Sequence, residues 1–298
     1  MGFISYQPRL LIVGCGDVGM RILQRLPPSL KVFALTSSPQ RVTLLRAAGT
    51  IPLLGNLDDL DSLHRLAGLA TWVLHLAPPP GQGASDTRTQ HLLQTLARKP
   101  TIQRLVYMST TGVYGNTDGA FFDETRRPQP QTARAIRRVN AEQQVKQFGL
   151  RHDVAVSILR VPGIYAFDRE GGDPRDRVRK GAPLLKPEHD VYTNHIHADD
   201  LARICVAALT RAKLQRIYHA CDDAQTLMGD HFDAIADECQ LPRAPRLSRE
   251  ELQQKVSPMQ WSFMNESRRL SNQRMKYELR VRLKWPHTLK ALQALSLR

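Results

Sequence analysis

The stretch LLIVGCGDVGMRIL, residues 10–23, joins a run of apolar residues to a glycine-rich turn. Its spacing is Gly14-x-Gly16-x-x-Gly19, directly after a predicted strand and at the start of a predicted helix. In this pattern the first glycine allows a tight turn, the second lets the backbone approach a pyrophosphate, and the third lets the helix pack near the strand. A helix N-terminus also offers amide groups and a partial positive charge to phosphates. The stretch therefore predicts a dinucleotide-binding loop, and the alternative is a tight turn that binds nothing.

Six more apolar runs follow this one, separated by segments long enough for helices. We predict strands over residues 9–14, 31–36, 50–55, 71–77, 104–110, 155–161 and 216–221, and a helix over residues 198–212. Runs of this kind are typical of parallel strands that are buried on both faces. The predicted fold class is α/β, a Rossmann-type doubly wound parallel sheet with a smaller, discontinuous, α-rich C-terminal cap. We assign residues 1–165 and 194–221 to the sheet domain, and residues 166–193 and 222–298 to the substrate-binding cap.

The end of the second strand indicates which dinucleotide would bind. An NAD site usually has Asp or Glu there to hold the ribose 2′-hydroxyl, but residues 34–41 are ALTSSPQR. Thr36, Ser37 and Ser38 can donate hydrogen bonds, and Arg41 can pair with a 2′-phosphate. The sequence thus favours NADP over NAD; the alternative is that Arg41 is a solvated residue at the start of the next helix.

The composition limits the classes of partner. A formal net charge of +14 is typical of proteins that bind nucleic acids or phosphorylated ligands. However, the basic residues are dispersed and no nucleic-acid-binding signature is present, so nucleic acid is a disfavoured partner. We find no signal peptide, no stretch approaching the roughly 20 apolar residues of a membrane span, and no Cys-x-x-Cys spacing among the four cysteines. We expect a soluble, cytoplasmic protein without a metal site.

Four further motifs occur in order along the chain after the glycine loop. They are GNLDD (55–59), LVYMSTTGVYG (105–115), ILRVPGIY (158–165) and NHIHADDLARICVAAL (194–209). Together with the loop they resemble the extended short-chain dehydrogenases/reductases, the NAD-dependent epimerase/dehydratase family, and residues 265–279 resemble small bacterial members of its atypical branch. The resemblance implies that the cofactor contacts Gly14, Cys15, Gly16, Asp17, Val18, Gly19, Thr36, Ser37, Ser38, Arg41, Asn56, Leu57, Leu76, Ala77, Arg138, Val161 and Pro162.

The catalytic residues of this family are matched only in part. The resemblance places Thr110 at the Ser/Thr position, where it would hydrogen-bond the reacting hydroxyl or carbonyl. It places Arg134 and Arg138 at the positions of the Tyr-x-x-x-Lys pair, and no tyrosine occurs between Tyr114 and Tyr165. Arginine stays protonated in proteins and cannot act as a general base. The standard mechanism is therefore missing, although Arg138 could hold cofactor ribose or phosphate oxygens and Arg134 an anionic substrate.

Three replacements for the missing base stay open. A phenol could come from Tyr114 or Tyr165, an imidazole could come from His195 or His197, or the substrate could need no protein base. Two of these side chains also have a structural interpretation. Tyr114 would pack beneath the cleft, and His197 would order the turn into the following helix.

Three functions fit these observations. The first is an NADP-dependent oxidoreductase or epimerase with a non-standard active site. Its substrate would be an anionic small molecule, phosphorylated or nucleotide-linked, because the predicted cleft region carries Arg160, Arg169, Arg175 and Arg177. The second is a non-catalytic NADP-binding sensor or regulatory protein, which the loss of Tyr and Lys favours. The third, nucleic-acid binding through the basic C-terminal region, lacks a signature. From the family we also expect a homodimer through helices near residues 86–98 and 133–148.

Overall fold

Seven parallel strands form the central sheet of the computed structural model, which describes residues 8–296. In chain order they are β1 (Arg9–Val13), β2 (Lys31–Thr36), β3 (Ile51–Leu54), β4 (Trp72–His75), β5 (Arg104–Thr110), β6 (Ala155–Val161) and β7 (Arg216–His219). Their order in the sheet is β7-β6-β5-β4-β1-β2-β3. The chain therefore starts in the middle, builds one half outward to β3 and then builds the other half outward to β7. The predicted doubly wound fold is confirmed.

The strand ends agree closely with the predicted ranges. The predictions for β2, β5 and β6 have the observed bounds, and the others differ by one or two residues at an end. The largest difference is at β4, which we predicted to continue to residue 77. There the amides of Leu76 and Ala77 both donate to the Val13 carbonyl, at 2.8 and 3.1 Å, so the chain has already turned across the end of β1.

Helices cover both faces of the sheet, because alternate residues of each strand point to opposite sides. Leu10 and Ile12 of β1 pack in one buried cluster, and Leu11 and Val13 pack in the other. The predicted burial on both faces is confirmed. The helices are α1 (Asp17–Leu23), α2 (Val42–Ala47), α3 (Thr87–Ala97), α4 (Ala133–His152), α5 (Pro174–Arg179), α6 (Ala198–Arg211), α7 (Met228–Glu238), α8 (Arg249–Lys255), α9 (Pro258–Met264), α10 (Gln273–Leu279) and α11 (Thr288–Ser296).

The two faces of the sheet are therefore covered by different helices. The first cluster contains side chains of α1 and α6, and the second contains side chains of α3 and α4.

Helix α4 begins after Thr132, whose side chain accepts a hydrogen bond from the Ala135 amide at 3.2 Å. Such an N-cap satisfies one of the free amides of the first turn. It fixes the start of the helix on which Arg134 and Arg138 lie.

The segments after β6 and β7 pack against each other. Leu184–Leu185 pairs with Arg246–Leu247, and Tyr192–Thr193 pairs with Thr226–Leu227. A separate small core includes Leu184, Leu252 and Met264. In contrast, α10 packs against α6 and β7, and its residues Met275 and Leu279 belong to the core beneath the sheet. The division of the chain into two domains remains a prediction.

Candidate dinucleotide and substrate site

The glycine loop lies at the carboxyl end of β1, and its first and second glycines have different surroundings. Gly14 has φ +85°, and a Cβ atom there would lie 2.6 Å from the Ala77 nitrogen. No atom lies within 4 Å of a Cβ built at Gly16, so this position is open to a ligand. A Cβ at Gly19 would lie 2.9 Å from the Cys15 Sγ, so a larger residue there would prevent α1 from packing this closely against the loop. The positive φ of Gly14 agrees with the tight turn predicted there, and the approach of a pyrophosphate at Gly16 stays a prediction.

A cavity of about 430 Å³ extends from this loop across the ends of β2 and β3. The predicted cofactor residues that line it are Gly14, Cys15, Gly16, Thr36, Ser37, Ser38, Arg41, Asn56, Leu57, Leu76 and Ala77. Asp17, Val18 and Gly19 lie in α1 instead, and the lining does not include Arg138, Val161 or Pro162. The structure therefore brings together eleven of the predicted residues around one space and leaves six outside it.

Arg41 lies on one wall of this cavity. Its Nη2 donates to the Cys15 carbonyl at 2.7 Å, which places the guanidinium over the glycine loop. A second cation, Arg88, was not predicted from the sequence. It lines the cavity and donates two hydrogen bonds of 2.7 Å to the carboxylate of Asp58. No motif marks Arg88, because it is brought there by the path of the chain between β4 and α3.

Thr110 and Arg138 lie near the carboxyl end of β5, and Arg134 lies one helical turn before Arg138 on α4. Thr110 is the last residue of that strand, and its side chain accepts a hydrogen bond from the Gly112 amide at 3.2 Å. Arg138 donates from Nη1 to the Tyr107 hydroxyl and the Met108 carbonyl, both at 2.9 Å. Burial, with the charge of Arg138 nearby, lowers the pKa of Arg134 below its usual value. Arg138 thus brings a positive charge to the last residues of β5, and the charge of Arg134 lies close to it.

Tyr114 does not supply a phenol to this group. It is fully buried, and its hydroxyl accepts a hydrogen bond from Arg160 at 2.6 Å. His219 binds the Ser271 carbonyl through Nδ1 at 2.9 Å, so its Nε2 is the acceptor of the 2.6 Å hydrogen bond from the Tyr114 hydroxyl. Burial raises the pKa of Tyr114 to about 12. The interpretation in which Tyr114 packs beneath the cleft is therefore the one that the structure shows.

The other three candidate bases, Tyr165, His195 and His197, are also enclosed by protein or used in contacts within it. Tyr165 is 3% exposed and burial raises its pKa. His195 stacks on His231 with ring centroids 4.2 Å apart, and burial lowers its pKa to about 4. His197 accepts a hydrogen bond from the Asp199 amide at 3.1 Å and is the N-cap of α6. Its predicted role in ordering the turn into that helix is confirmed.

The four arginines that suggested an anionic substrate all have partners within the protein, so they do not support that expectation, which stays a prediction. Arg160 is 1% exposed and paired with Glu142. Arg169 is paired with Asp17 at 2.8 Å and Arg175 with Asp173 at 2.6 Å. Arg177 donates to the Pro183 carbonyl at 3.0 Å.

Among residues 8–296, no group of His, Cys, Asp or Glu side chains could hold a metal ion. Within the same range, none of the helices is both long enough and apolar enough to cross a bilayer.

Comparison with solved structures finds close likeness over the whole chain. A functionally unknown conserved protein from Silicibacter pomeroyi has a TM-score of 0.81 and 30% sequence identity, covering 97% of this chain and 98% of its own. UDP-glucose 4-epimerase from Thermotoga maritima, solved with UDP-glucose, has a TM-score of 0.76 and 17% identity, covering 97% and 100%. DesIV, a dTDP-glucose 4,6-dehydratase from Streptomyces venezuelae solved with NAD, has a TM-score of 0.76 and 19% identity, covering 96% and 95%. The two enzymes, at these identities, show the fold alone.

A comparison with curated proteins gives no match. The model of the NAD dependent epimerase/dehydratase family matches residues 10–221, which is more than half of the chain. The glycine loop and the four motifs that follow it lie within this range, and residues 265–279 lie outside it. The chain therefore belongs to the NAD dependent epimerase/dehydratase family.

Proposed function

We propose that this protein binds NADP at the glycine loop and acts as an oxidoreductase or epimerase on a phosphorylated or nucleotide-linked small molecule. The observation that carries the proposal is the cavity of about 430 Å³ that joins the glycine loop to the ends of β2 and β3. The space beside Gly16 is open to a ligand, whereas Gly14 is needed for its positive φ and its close contact with Ala77. This combination suits a loop whose amides approach a pyrophosphate.

The preference for NADP rests on Arg41. No carboxylate lines the cavity at the end of β2, where Thr36, Ser37 and Ser38 lie. Arg41 uses one hydrogen bond on the Cys15 carbonyl and forms no ion pair with an acid of the described chain. Its charge is therefore available to a 2′-phosphate, whereas that of Arg88 is balanced by Asp58. DesIV was solved with NAD, which makes a direct comparison of both cofactors the necessary test.

Three predicted contacts belong to the nicotinamide end of the proposed cofactor. Val161 is the register partner of Thr110 across β5 and β6, and Pro162 follows it. Arg138 lies on α4 above the same strand end, where its hydrogen bonds to Tyr107 and Met108 fix its position. In our proposal Arg138 holds ribose oxygens, and Thr110 donates its hydroxyl proton to a substrate oxygen.

The proposed substrate class comes from the neighbouring folds. The Thermotoga maritima and Streptomyces venezuelae enzymes are named for UDP-glucose and dTDP-glucose, which are nucleotide-linked sugars. We extend this class to the present chain because these two structures match 97% and 96% of it. Self-association through α3 and α4 is a further proposal from the family.

A second candidate function is a non-catalytic NADP-binding sensor. One observation favours it. Arginines occupy the positions of the family's Tyr and Lys, while Tyr114, Tyr165 and His195 are enclosed by protein and unsuited to act as bases. In this case cofactor binding would change the position of the cap without turnover.

Fluorescence titration with NADPH and NADH tests the cofactor proposal. We expect Arg41→Ala to weaken NADPH binding by about 1–3 kcal/mol, the scale of a charge-assisted hydrogen bond, and to leave NADH binding nearly unchanged. Arg46→Ala is the matched control, because Arg46 is exposed and lies on α2, which begins directly after Arg41. Equal losses for both cofactors would remove Arg41 from the 2′-phosphate role. If neither cofactor binds, the proposed function is wrong.

A further inference from the structure

Two positively charged side chains on α4 have no acidic partner. Arg134 and Arg138 are four residues apart and therefore adjacent on one helix face. Within residues 8–296, neither guanidinium forms an ion pair with an Asp or Glu side chain. Glu266 is the acid whose charge acts on Arg134, but its carboxylate is paired with Arg268. Two neighbouring charges are thus left without local compensation.

This arrangement is unfavourable in the free protein. Like charges at this spacing repel each other and destabilise a helix. Partial burial adds to the effect, because it removes Arg134 from water and lowers its pKa. A bound anion would reduce both the repulsion between the two arginines and the unfavourable burial of the Arg134 charge.

The guanidinium of Arg134 is also held in a defined orientation. Its central carbon lies 4.5 Å from the centroid of the Phe263 ring, on α9. Phe263 is 47% exposed, so the stacked pair is open to solvent and accessible to a ligand. Stacking on an aromatic face fixes the plane of a guanidinium while its N–H edge stays free to donate. No hydrogen bond from Arg134 to another described residue uses that edge.

We propose that Arg134 binds an oxyanion of the substrate, a carboxylate or a phosphate, through two parallel N–H donors. Phe263 is the platform for this contact, and the charge of Arg138 strengthens it. The inference rests on the proposed function for the identity of this cleft as the substrate site. An anionic group would then lie where the family has its general base, so the substrate carries negative charge close to its reacting end.

Isothermal titration with inorganic phosphate, malonate and uncharged malonamide tests this subsite, with NADPH present to fill the glycine-loop cavity. Arg134→Gln is compared with Arg151→Gln, an exposed arginine at the other end of α4. We expect phosphate, malonate or both to bind the wild type and Arg151→Gln, and to bind Arg134→Gln about tenfold more weakly or worse. Equal binding by both variants, equal binding of malonamide, or no binding of either anion would overturn the proposal.

Chemical modification of the wild type provides a test that needs no variant. Phenylglyoxal reacts with accessible guanidinium groups, and peptide mapping reports each site separately. We expect phosphate or malonate to protect Arg134 and to leave Arg151 equally reactive. Unchanged modification of Arg134 would overturn the subsite.

Repeating the modification without NADPH, alongside the fluorescence titration with NADPH and NADH, separates the two proposals. If Arg134 is protected while no dinucleotide binds, the cofactor proposal fails and the subsite stands. If NADPH binds and Arg134 is unprotected, only the subsite fails.

Discussion

Glu142 on α4 binds Arg160 on β6 through two hydrogen bonds, Nη2 to Oε2 at 2.6 Å and Nε to Oε1 at 3.0 Å. Both side chains are at most 2% exposed. The same carboxylate accepts a hydrogen bond from the Ser109 hydroxyl at 2.7 Å, on β5 beside Thr110. The pair therefore fixes α4, with its arginines, against the two strands beneath it.

We predict that Glu142→Gln lowers the free energy of unfolding by about 3–5 kcal/mol, because it leaves the Arg160 charge buried without a counter-charge. Urea denaturation measures this difference. Arg179→Gln is the control, since Arg179 pairs with Asp176 at the surface and should contribute about 0–1 kcal/mol. Losses of similar size in the two variants would contradict the prediction.

His219 gives an expected pH dependence of stability. Burial lowers its pKa to about 3, whereas in the unfolded chain it takes up a proton near 6.5. Protons therefore favour the unfolded state as pH falls from 6.5 toward 3, and the stabilisation by neutral His219 is complete above 6.5.

Urea midpoints between pH 6.5 and 4.5 measure this effect. We expect His219→Gln to reduce the slope of unfolding free energy against pH by about 1.4 kcal/mol per pH unit. His64→Gln is the matched control, because it removes a histidine from an exposed position. A slope unchanged in His219→Gln would show that the folded protein also protonates this ring.

The glycine loop offers a matched pair of substitutions. Gly14→Ala should lower the unfolding free energy by about 1–3 kcal/mol, since the new Cβ would collide with Ala77 and the backbone has positive φ. Gly16→Ala should change it by less than about 0.5 kcal/mol, because its site is open. It should nevertheless weaken NADPH binding, as the methyl group occupies the proposed approach of the pyrophosphate. Thermal melts and titrations of both variants measure this, and full NADPH affinity in Gly16→Ala would place the cofactor elsewhere.

Restoring the family's Tyr and Lys should not by itself restore fast chemistry. The double variant Arg134→Tyr with Arg138→Lys supplies a phenol and an ammonium, but not the contacts that position a substrate against the cofactor. We expect little consumption of NADPH with a panel of nucleotide-linked sugars, and NADPH binding provides the check on folding. Vigorous reductase activity would show that the pocket is already adapted to such substrates.

The fold could be predicted because the residues that indicate each strand and turn are close together in the sequence. Each strand is an apolar run of suitable length, and Gly14 combines the tight turn with the start of α1. The end of β4 was missed, since the turn at Leu76 depends on a hydrogen bond to Val13 in another strand.

The partners of charged side chains were much less predictable. Arg160 and Arg169 looked available to a substrate, yet their partners Glu142 and Asp17 lie 18 and 152 residues away along the chain. Phe263 and Arg88 were missed for the same reason. Contacts between distant segments decide whether an arginine is a ligand-binding group or an internal counter-ion, and a single sequence does not show those contacts.

The packing of α10 against β7 has a consequence for synthesis of the protein. β7 is an edge strand, and Arg274 donates to its Ile217 carbonyl at 3.2 Å while Glu278 binds Arg216 and Tyr218. Unprotected strand edges can pair with other chains. On the ribosome, this edge stays uncovered until α10 has emerged, well after the sheet itself is complete. A nascent chain from which β7 but not α10 has emerged would present that edge to its neighbours, so we expect aggregation during translation chiefly at this stage.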